Sequence, residues 1–189
     1  MPKLKQDLHI HTIFSSHDGA VAPEQTIELI AAVRHAEITG ISDHFEDIME
    51  NFNEYSAAVR KLGFFAGTEV DGSRSVGLAV QADADYYIYH CRDEEKEYKA
   101  AERLLETGKP VIIAHPNFLS TNLEKVPPRC LIEISNRYVW RSDWRRELTP
   151  FIGRFKFILS SDAHQPNWLN HTMAEYVAQQ LGIENTILF

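Results

Sequence analysis

Short apolar runs alternate along this chain with helix-like segments, and this alternation limits the possible folds more than any other feature. The apolar runs have the length and the β-branched and aromatic content of buried strands. They are KQDLHIHT, AEITGISDHF, GFFAGTEV, DYYIYHC, PVIIAHPN, CLIEISN and FKFILSSDAH. The helix-like segments are PEQTIELIAAVRHA, MENFNEYSAAVRKLG, EEKEYKAAERLLETG, SDWRRELTPFIGR and WLNHTMAEYVAQQLG. Strands that alternate with helices predict an α/β fold with a parallel sheet covered by helices.

The number of apolar runs favours a sheet that closes into a barrel. About seven strands suit a closed or nearly closed barrel, and a doubly wound open sheet is the alternative. The 189 residues are fewer than the roughly 250 that a full eight-unit barrel typically needs. No repeat or low-complexity linker divides the sequence, so residues 1–189 are expected to form a single domain.

Composition excludes several classes of protein. The formal charge of −8 argues against a nucleic-acid coat, so no stable nucleic-acid binding is expected. No apolar run approaches the roughly 20 residues that cross a bilayer, so no membrane partner is expected either. Cys91 and Cys130 are too few for a disulfide framework and are predicted to be small buried hydrophobic residues. This cysteine usage fits a reducing cytoplasm.

Polar residues capable of binding a metal occur where the predicted strands end. They are His9, His11, His44, Glu69, His90, His115, Asp162 and His164. In a parallel barrel the carboxyl ends of the strands meet at one rim, and that rim carries the active site. Residues more than 150 positions apart are therefore expected to converge there.

The spacing and chemistry of these residues indicate a metal site. His9 and His11 are two residues apart, so both side chains point to the same side of a strand, and Asp162 and His164 repeat that spacing. Imidazole and carboxylate ligands suit Zn, Mn and Fe(II). Burying so many polar groups without partners would cost several kcal/mol each, which makes simple packing a poor explanation.

Four polar residues near these positions are assigned to other roles. His35 and His171 lie on predicted helices and are not expected to bind a metal. Asp7 and Asp43 adjoin ligand candidates, and either they orient a histidine or they cap the end of a strand.

The complete set of motifs resembles the PHP (polymerase and histidinol phosphatase) domain family of metal-dependent phosphoesterases. The matching motifs are DLHIHTIFSSHDG, ISDHF, GTEV, IYHC, AHPN and SSDAH. The resemblance implies a distorted seven-stranded β/α barrel of TIM-like type and a centre of three divalent ions, Zn, Mn or Fe. The nine implied ligands are His9, His11, Glu69 and Asp162 for the first ion, Glu69, His90 and His115 for the second, and His17, His44 and His164 for the third.

The same resemblance implies an activity. A metal-bridging hydroxide would hydrolyse a small phosphorylated substrate, with Glu69, Asp162 and His164 taking part in catalysis. Arg137 and Arg141, which follow the sixth predicted strand, could bind the phosphate. Histidinol phosphatases of the family are usually longer, so the match favours phosphoester hydrolysis over that particular substrate. Two alternatives remain open: a non-catalytic metal-binding accessory module of the same family, and an amidohydrolase-like enzyme that cleaves C–N bonds.

Overall fold

The computed structural model describes residues 3–189, which form eight strands and eight α-helices. The strands are β1 (Leu4–Asp7), β2 (Ala36–Ile41), β3 (Phe65–Ala66), β4 (Thr68–Val70), β5 (Tyr87–Tyr89), β6 (Val111–Ile113), β7 (Leu131–Ser135) and β8 (Lys156–Ser160). The helices are α1 (Ile27–Val33), α2 (Phe45–Ile48), α3 (Phe52–Lys61), α4 (Ser73–Ala79), α5 (Glu95–Leu105), α6 (Pro116–Leu119), α7 (Trp144–Leu148) and α8 (Thr172–Leu181). Short 3₁₀ turns cover Met49–Asn51, Val139–Arg141, Thr149–Phe151 and Pro166–Trp168.

All of the strand pairings in residues 3–189 are parallel, which confirms the predicted α/β class. The strands form two sheets, β1-β2-β3 and β4-β5-β6-β7-β8, in place of the one seven-stranded sheet that was expected. The predicted strand GFFAGTEV is divided at Gly67, because its first half pairs with β2 and its second half with β5. Two single bridges join the sheets, one between His44, after β2, and Glu69 of β4, and one between Ile10, after β1, and Ala163, after β8.

The sheets separate two apolar cores. Within β5, Tyr87 and Tyr89 belong to the large core beneath the helices, whereas Ile88 belongs to a smaller core on the other face, as the two-residue period of a strand requires. The smaller core consists of Leu8, Tyr86, Ile88, Ile112, Ala114, Leu131 and Ile158. Both faces of the sheets are therefore buried, which explains why the strands read as nearly continuous apolar runs.

One tyrosine spans the smaller core. The hydroxyl of Tyr86 donates a hydrogen bond of 2.6 Å to the carbonyl of Leu8 on the far side. Its ring passes so close to Gly40 and Gly67 that a Cβ atom would lie 2.3 Å and 2.2 Å, respectively, from Tyr86 atoms. Side chains at those two positions are excluded, which accounts for two glycines in a strand-rich region where glycine is otherwise unfavourable.

Each of the five predicted helical segments contains an observed helix, with some different ends. α1 begins after Thr26, whose hydroxyl caps Leu29 N, and not at Pro23. α7 ends at Leu148, two residues before Pro150, because proline has no backbone N–H with which to continue the helix. Gly63, the last residue of the segment MENFNEYSAAVRKLG, has φ +80°, which glycine adopts without strain. Among residues 3–189, no helix combines the length and apolar character needed to cross a membrane.

The packing of Tyr86 predicts that Gly67→Ala destabilises the fold. A Cβ at this position meets the tyrosine ring in a fully buried place, and overpacking of this kind costs about 1–3 kcal/mol of unfolding free energy. Urea denaturation of the two proteins measures the difference. Gly153→Ala is the matched control, because no atom lies within 4 Å of its added Cβ. Equal unfolding free energies for wild type and Gly67→Ala would contradict this account of the interior.

Candidate metal centre

The carboxylate of Glu69, buried in the middle of β4, is surrounded by imidazole nitrogens. Its Oε1 lies 3.1 Å from His9 Nε2, 2.6 Å from His90 Nε2 and 3.7 Å from His115 Nε2. Its Oε2 lies 3.2 Å from both His11 Nε2 and His44 Nδ1. Five histidines from four separate strand ends therefore converge on one carboxylate, as the sequence predicted.

Asp162 and His164 complete the cluster from the end of β8. The Asp162 carboxylate lies 3.9 Å from both His9 Nε2 and His115 Nε2, and the ring of His164 lies 4.2 Å from that of His11. Asp162 and His115 have φ values of +52° and +23°, which residues other than glycine rarely adopt. Such backbone conformations are typical of positions where a side chain must be aimed at a functional site.

The outer nitrogens of three of these histidines are held by acceptors. His9 Nδ1 lies 2.6 Å from the Glu133 carboxylate, and His90 Nδ1 lies 3.2 Å from Asp71. His11 Nδ1 lies 3.2 Å from the Ser15 hydroxyl, which itself donates to a carboxylate and is therefore free to accept. An Nδ1 that donates a proton outward leaves the Nε2 lone pair of a neutral imidazole pointing at Glu69.

Charge interactions within the cluster are strong because it is buried. Burial alone raises the pKa of Glu69, but the attraction of His90 and His9 holds that pKa well below its usual range. Burial lowers the pKa of His9, yet Glu133 and the other nearby carboxylates raise it well above the usual range. Burial opposes protonation of His90 as well, and attraction to Glu69 nevertheless raises its pKa to about 10. These raised pKa values favour the protonated forms of His9 and His90 while no metal ion is bound.

The donor atoms fall into three overlapping groups in which they lie within 4.8 Å of one another. The groups are His9, His11 and Glu69; Glu69, His90 and His115; and His11, His44 and His164. The first two share Glu69, which suits a carboxylate that bridges two ions. Glu69 Oε1 also forms no hydrogen bond of good geometry despite being buried, as expected for an atom whose partner is a metal ion.

One predicted ligand lies outside the cluster. The side chain of His17 is 86% exposed and pairs with Asp47, so the expected third group of His17, His44 and His164 is not formed. The loop after β1 directs His17 away from the site and brings Asp18 towards it. The Asp18 carboxylate lies 2.7 Å from His164 Nε2 and 3.5 Å from His44 Nε2.

Sequence reasoning also missed Glu133. It occupies the centre of β7, where its carboxylate accepts hydrogen bonds from the backbone N–H of His115 at 2.6 Å and from the Ser160 hydroxyl. The glutamate in the apolar run LIEIS could have indicated this role, because a buried carboxylate without a partner in a strand is very costly.

The aspartates next to the ligands have different roles. Asp43 accepts hydrogen bonds from Thr12 N at 2.6 Å and from Ser15 Oγ at 2.7 Å, so it orients His11 only through Ser15. Burial raises the pKa of Asp43 to about 6.

Asp7 lies between the two histidines that were not expected to bind a metal. Its carboxylate is 3.0 Å from His35 Nε2 and 3.4 Å from His171 Nε2. His35 follows α1 and His171 precedes α8, whereas both were predicted to lie within helices. Neither belongs to any of the three donor groups.

The two predicted substrate-binding arginines lie at the edge of the centre. Arg137 Nη1 is 3.4 Å from Asp162 Oδ1 and 2.9 Å from His164 Nε2, so its guanidinium contacts the cluster directly. The Arg141 guanidinium lies farther out, 5.3 Å from the centre of the Tyr138 ring.

Comparison with known proteins shows a likeness in fold only. No protein-family model and no curated protein matches the sequence. Among solved structures, a Xanthomonas albilineans dihydropteroate synthase with 4-aminobenzoic acid is similar, with a TM-score of 0.53 and 13% identity over 96% of this chain and 85% of that one. A Yersinia pestis dihydropteroate synthase has a TM-score of 0.50 and 11% identity over 97% of this chain and 85% of that one.

These findings correct the functional assignment made from the motifs. The matching structures named above are dihydropteroate synthases and not PHP phosphoesterases, and no family model matches. The assignment to the PHP family, the phosphatase or phosphoesterase activity and the small phosphorylated substrate are therefore withdrawn. The accessory-module and amidohydrolase-like alternatives are withdrawn as well. At 11% to 13% identity the neighbours establish the fold and do not transfer their own activity to this chain.

The geometry predicts different effects for Glu133 and His17 on metal affinity. Glu133→Gln removes the charged acceptor that orients His9, and loss of such a partner typically weakens metal binding about 10- to 100-fold. His17→Ala should leave the affinity unchanged, because this exposed side chain is outside the cluster. Calorimetric titration of each metal-free variant with Zn²⁺ measures the two affinities. A large loss with His17→Ala and none with Glu133→Gln would reverse the assignment.

Proposed function

We propose that this chain binds a cluster of two to three divalent metal ions, Zn, Mn or Fe, at the carboxyl ends of its strands. The observation that carries the proposal is the outward contact of Nδ1 in His9, His11 and His90, which leaves three Nε2 atoms facing the Glu69 carboxylate. Once the imidazoles are neutral, each of these Nε2 atoms has a lone pair for a metal ion. A set of mixed nitrogen and oxygen donors without thiolates suits these ions.

The residues fit two ions that share Glu69. His9 and His11 would hold one ion, and His90 and His115 the other, with Asp162 within reach of both pairs. A third ion would take His44 and His164, with Asp18 as the carboxylate in place of the predicted His17. An imidazole nitrogen has one lone pair, so His11 Nε2 can serve only one of the two groups that contain it.

The chemistry that follows is Lewis-acid chemistry on a small anionic ligand. Divalent ions bound there would polarise the oxygen atoms of such a ligand and lower the pKa of bound water. Arg137 lies beside Asp162 and His164 and would add a fixed positive charge on the open side. Glu69, Asp162 and His164 are the residues that we propose to lie closest to the reacting atoms.

We further propose that the two sheets together form one distorted TIM-like barrel and that residues 1–189 act as a single domain. The separate small core, the bridges between the sheets and the likeness to dihydropteroate synthases support this arrangement. Two buried free cysteines, Cys91 and Cys130, support a reducing compartment such as the cytoplasm.

Metal analysis tests the proposed centre. After removal of metals with a chelator and incubation with excess Zn²⁺ or Mn²⁺, the protein should retain two to three ions per chain. Glu69→Gln removes the charge that joins two cations and should lose at least one ion while the fold stays intact by circular dichroism. Glu106→Gln, an exposed residue after α5, is the matched control. One ion or none in the wild-type protein would refute the proposal.

The raised pKa values of His9 and His90 predict that metal binding releases protons. Raising the pH removes these protons from the free protein, so Zn²⁺ affinity should rise with pH, by about tenfold per unit for each displaced proton. Calorimetric titrations from about pH 6 to pH 8, in two buffers of different ionisation enthalpy, give the number of protons. An affinity that does not change with pH would show that the metal binds elsewhere.

A further inference from the structure

A groove of about 380 Å³ opens beside the proposed metal centre, on the side of Arg137. Its walls come from the segment after β7, the 3₁₀ turn after β8 and the start of α8. The lining residues are Asn136, Arg137, Trp140, Arg141, Ser161, Trp168, Asn170 and Met173. This volume is within the usual range for sites that bind small molecules, roughly 300 to 1,000 Å³.

The two guanidinium groups of the groove lie against aromatic rings, those of Trp140 and Trp168 in its lining and that of Tyr138 next to it. The Arg137 guanidinium lies 4.9 Å from the centre of the Tyr138 ring and 5.2 Å from that of Trp168. The Arg141 guanidinium lies 5.3 Å from the Tyr138 ring and 5.0 Å from the Trp140 ring. These contacts within about 6 Å hold both cations against flat surfaces and restrict their freedom before any ligand arrives.

Two side chains of this groove, Trp140 and Arg141, are available to a ligand. Trp140 is 57% exposed, although an indole is among the side chains that gain most from burial. Within residues 3–189, no carboxylate forms an ion pair with Arg141, in a chain whose net charge is −8. By contrast, the side-chain oxygen of Asn136 already has a hydrogen-bond donor, because it accepts from Met173 N at 2.8 Å.

We infer that this groove binds a small organic anion that carries a flat aromatic ring. The ring would lie against Trp140 and Trp168, and Met173 provides an adaptable apolar wall. The anionic group would lie between Arg141 and Arg137, on the side that faces the cluster. One part of the inference rests on the proposed function: a metal ion bound at the centre should strengthen binding of the anion.

The three tryptophans of the chain make the inference testable by NMR. Indole N–H signals of ¹⁵N-labelled protein are followed while 2-naphthoate is added, both to the metal-free protein and to the Zn²⁺-loaded protein. The signals of Trp140 and Trp168 should move. The signal of Trp144 should stay, because this residue packs against Arg145 and Tyr176 away from the groove. Zn²⁺ should increase the affinity.

Decahydronaphthalene-2-carboxylate separates ring recognition from simple charge attraction. It has the same carbon skeleton and the same charge as 2-naphthoate but no aromatic face, and it should bind about three- to tenfold more weakly. Trp140→Ala should weaken 2-naphthoate binding by the same factor, and Arg141→Ala by about tenfold. Trp144→Phe is the matched control and should have no effect.

Specific outcomes would overturn the inference. They are unmoved signals of Trp140 and Trp168, equal affinities for the two acids, or an unchanged affinity in Trp140→Ala. Metal content is measured in the same samples, so failure of the metal centre is detected separately. The titration of the metal-free protein still decides whether the groove binds the aromatic anion.

Discussion

The rest of the site depends on the burial of one carboxylate, that of Glu69, among five imidazoles. A carboxylate in this position is tolerated only if positive charge surrounds it, since an unpaired buried charge is very costly. The raised pKa values of His9 and His90 favour protons that supply this charge when no metal is bound, and divalent ions in the proposed centre would supply it more effectively. Binding of such ions would therefore replace protons around a fixed anion.

Glu133 links this chemistry to the stability of the sheet. One buried carboxylate on β7 accepts from His9 after β1, from the backbone N–H of His115 after β6 and from Ser160 at the end of β8. The same hydrogen bonds that orient two ligand histidines thus connect four strands. Ligand orientation and strand pairing are consequently coupled, and a change at this residue affects both.

The residue patterns of this chain predicted the position of the polar cluster but not an activity. The histidines and carboxylates at strand ends indicated where polar groups would converge, and the structure brings eight of the nine predicted ligands together there. The activity did not follow from the same pattern, because a site of this composition serves several reactions and a fold of this type carries many. The groove beside Arg137 is where we propose that specificity for a ligand arises, since it presents aromatic and cationic side chains next to the cluster.

The sequence by itself determined the alternation of strands and helices, the parallel direction of the strands and the convergence of His9, His11, His44, Glu69, His90, His115, Asp162 and His164. These properties follow from local periodicity and from the rule that parallel strands end at one edge. Only the tertiary structure decided the break at Gly67, because the choice between pairing with β2 and with β5 depends on distant segments. It also decided that Asp18 and not His17 faces the cluster, and that Glu133 supports it. The direction of a loop side chain and the partner of a buried charge are set by contacts between segments far apart in the chain, which local patterns do not encode.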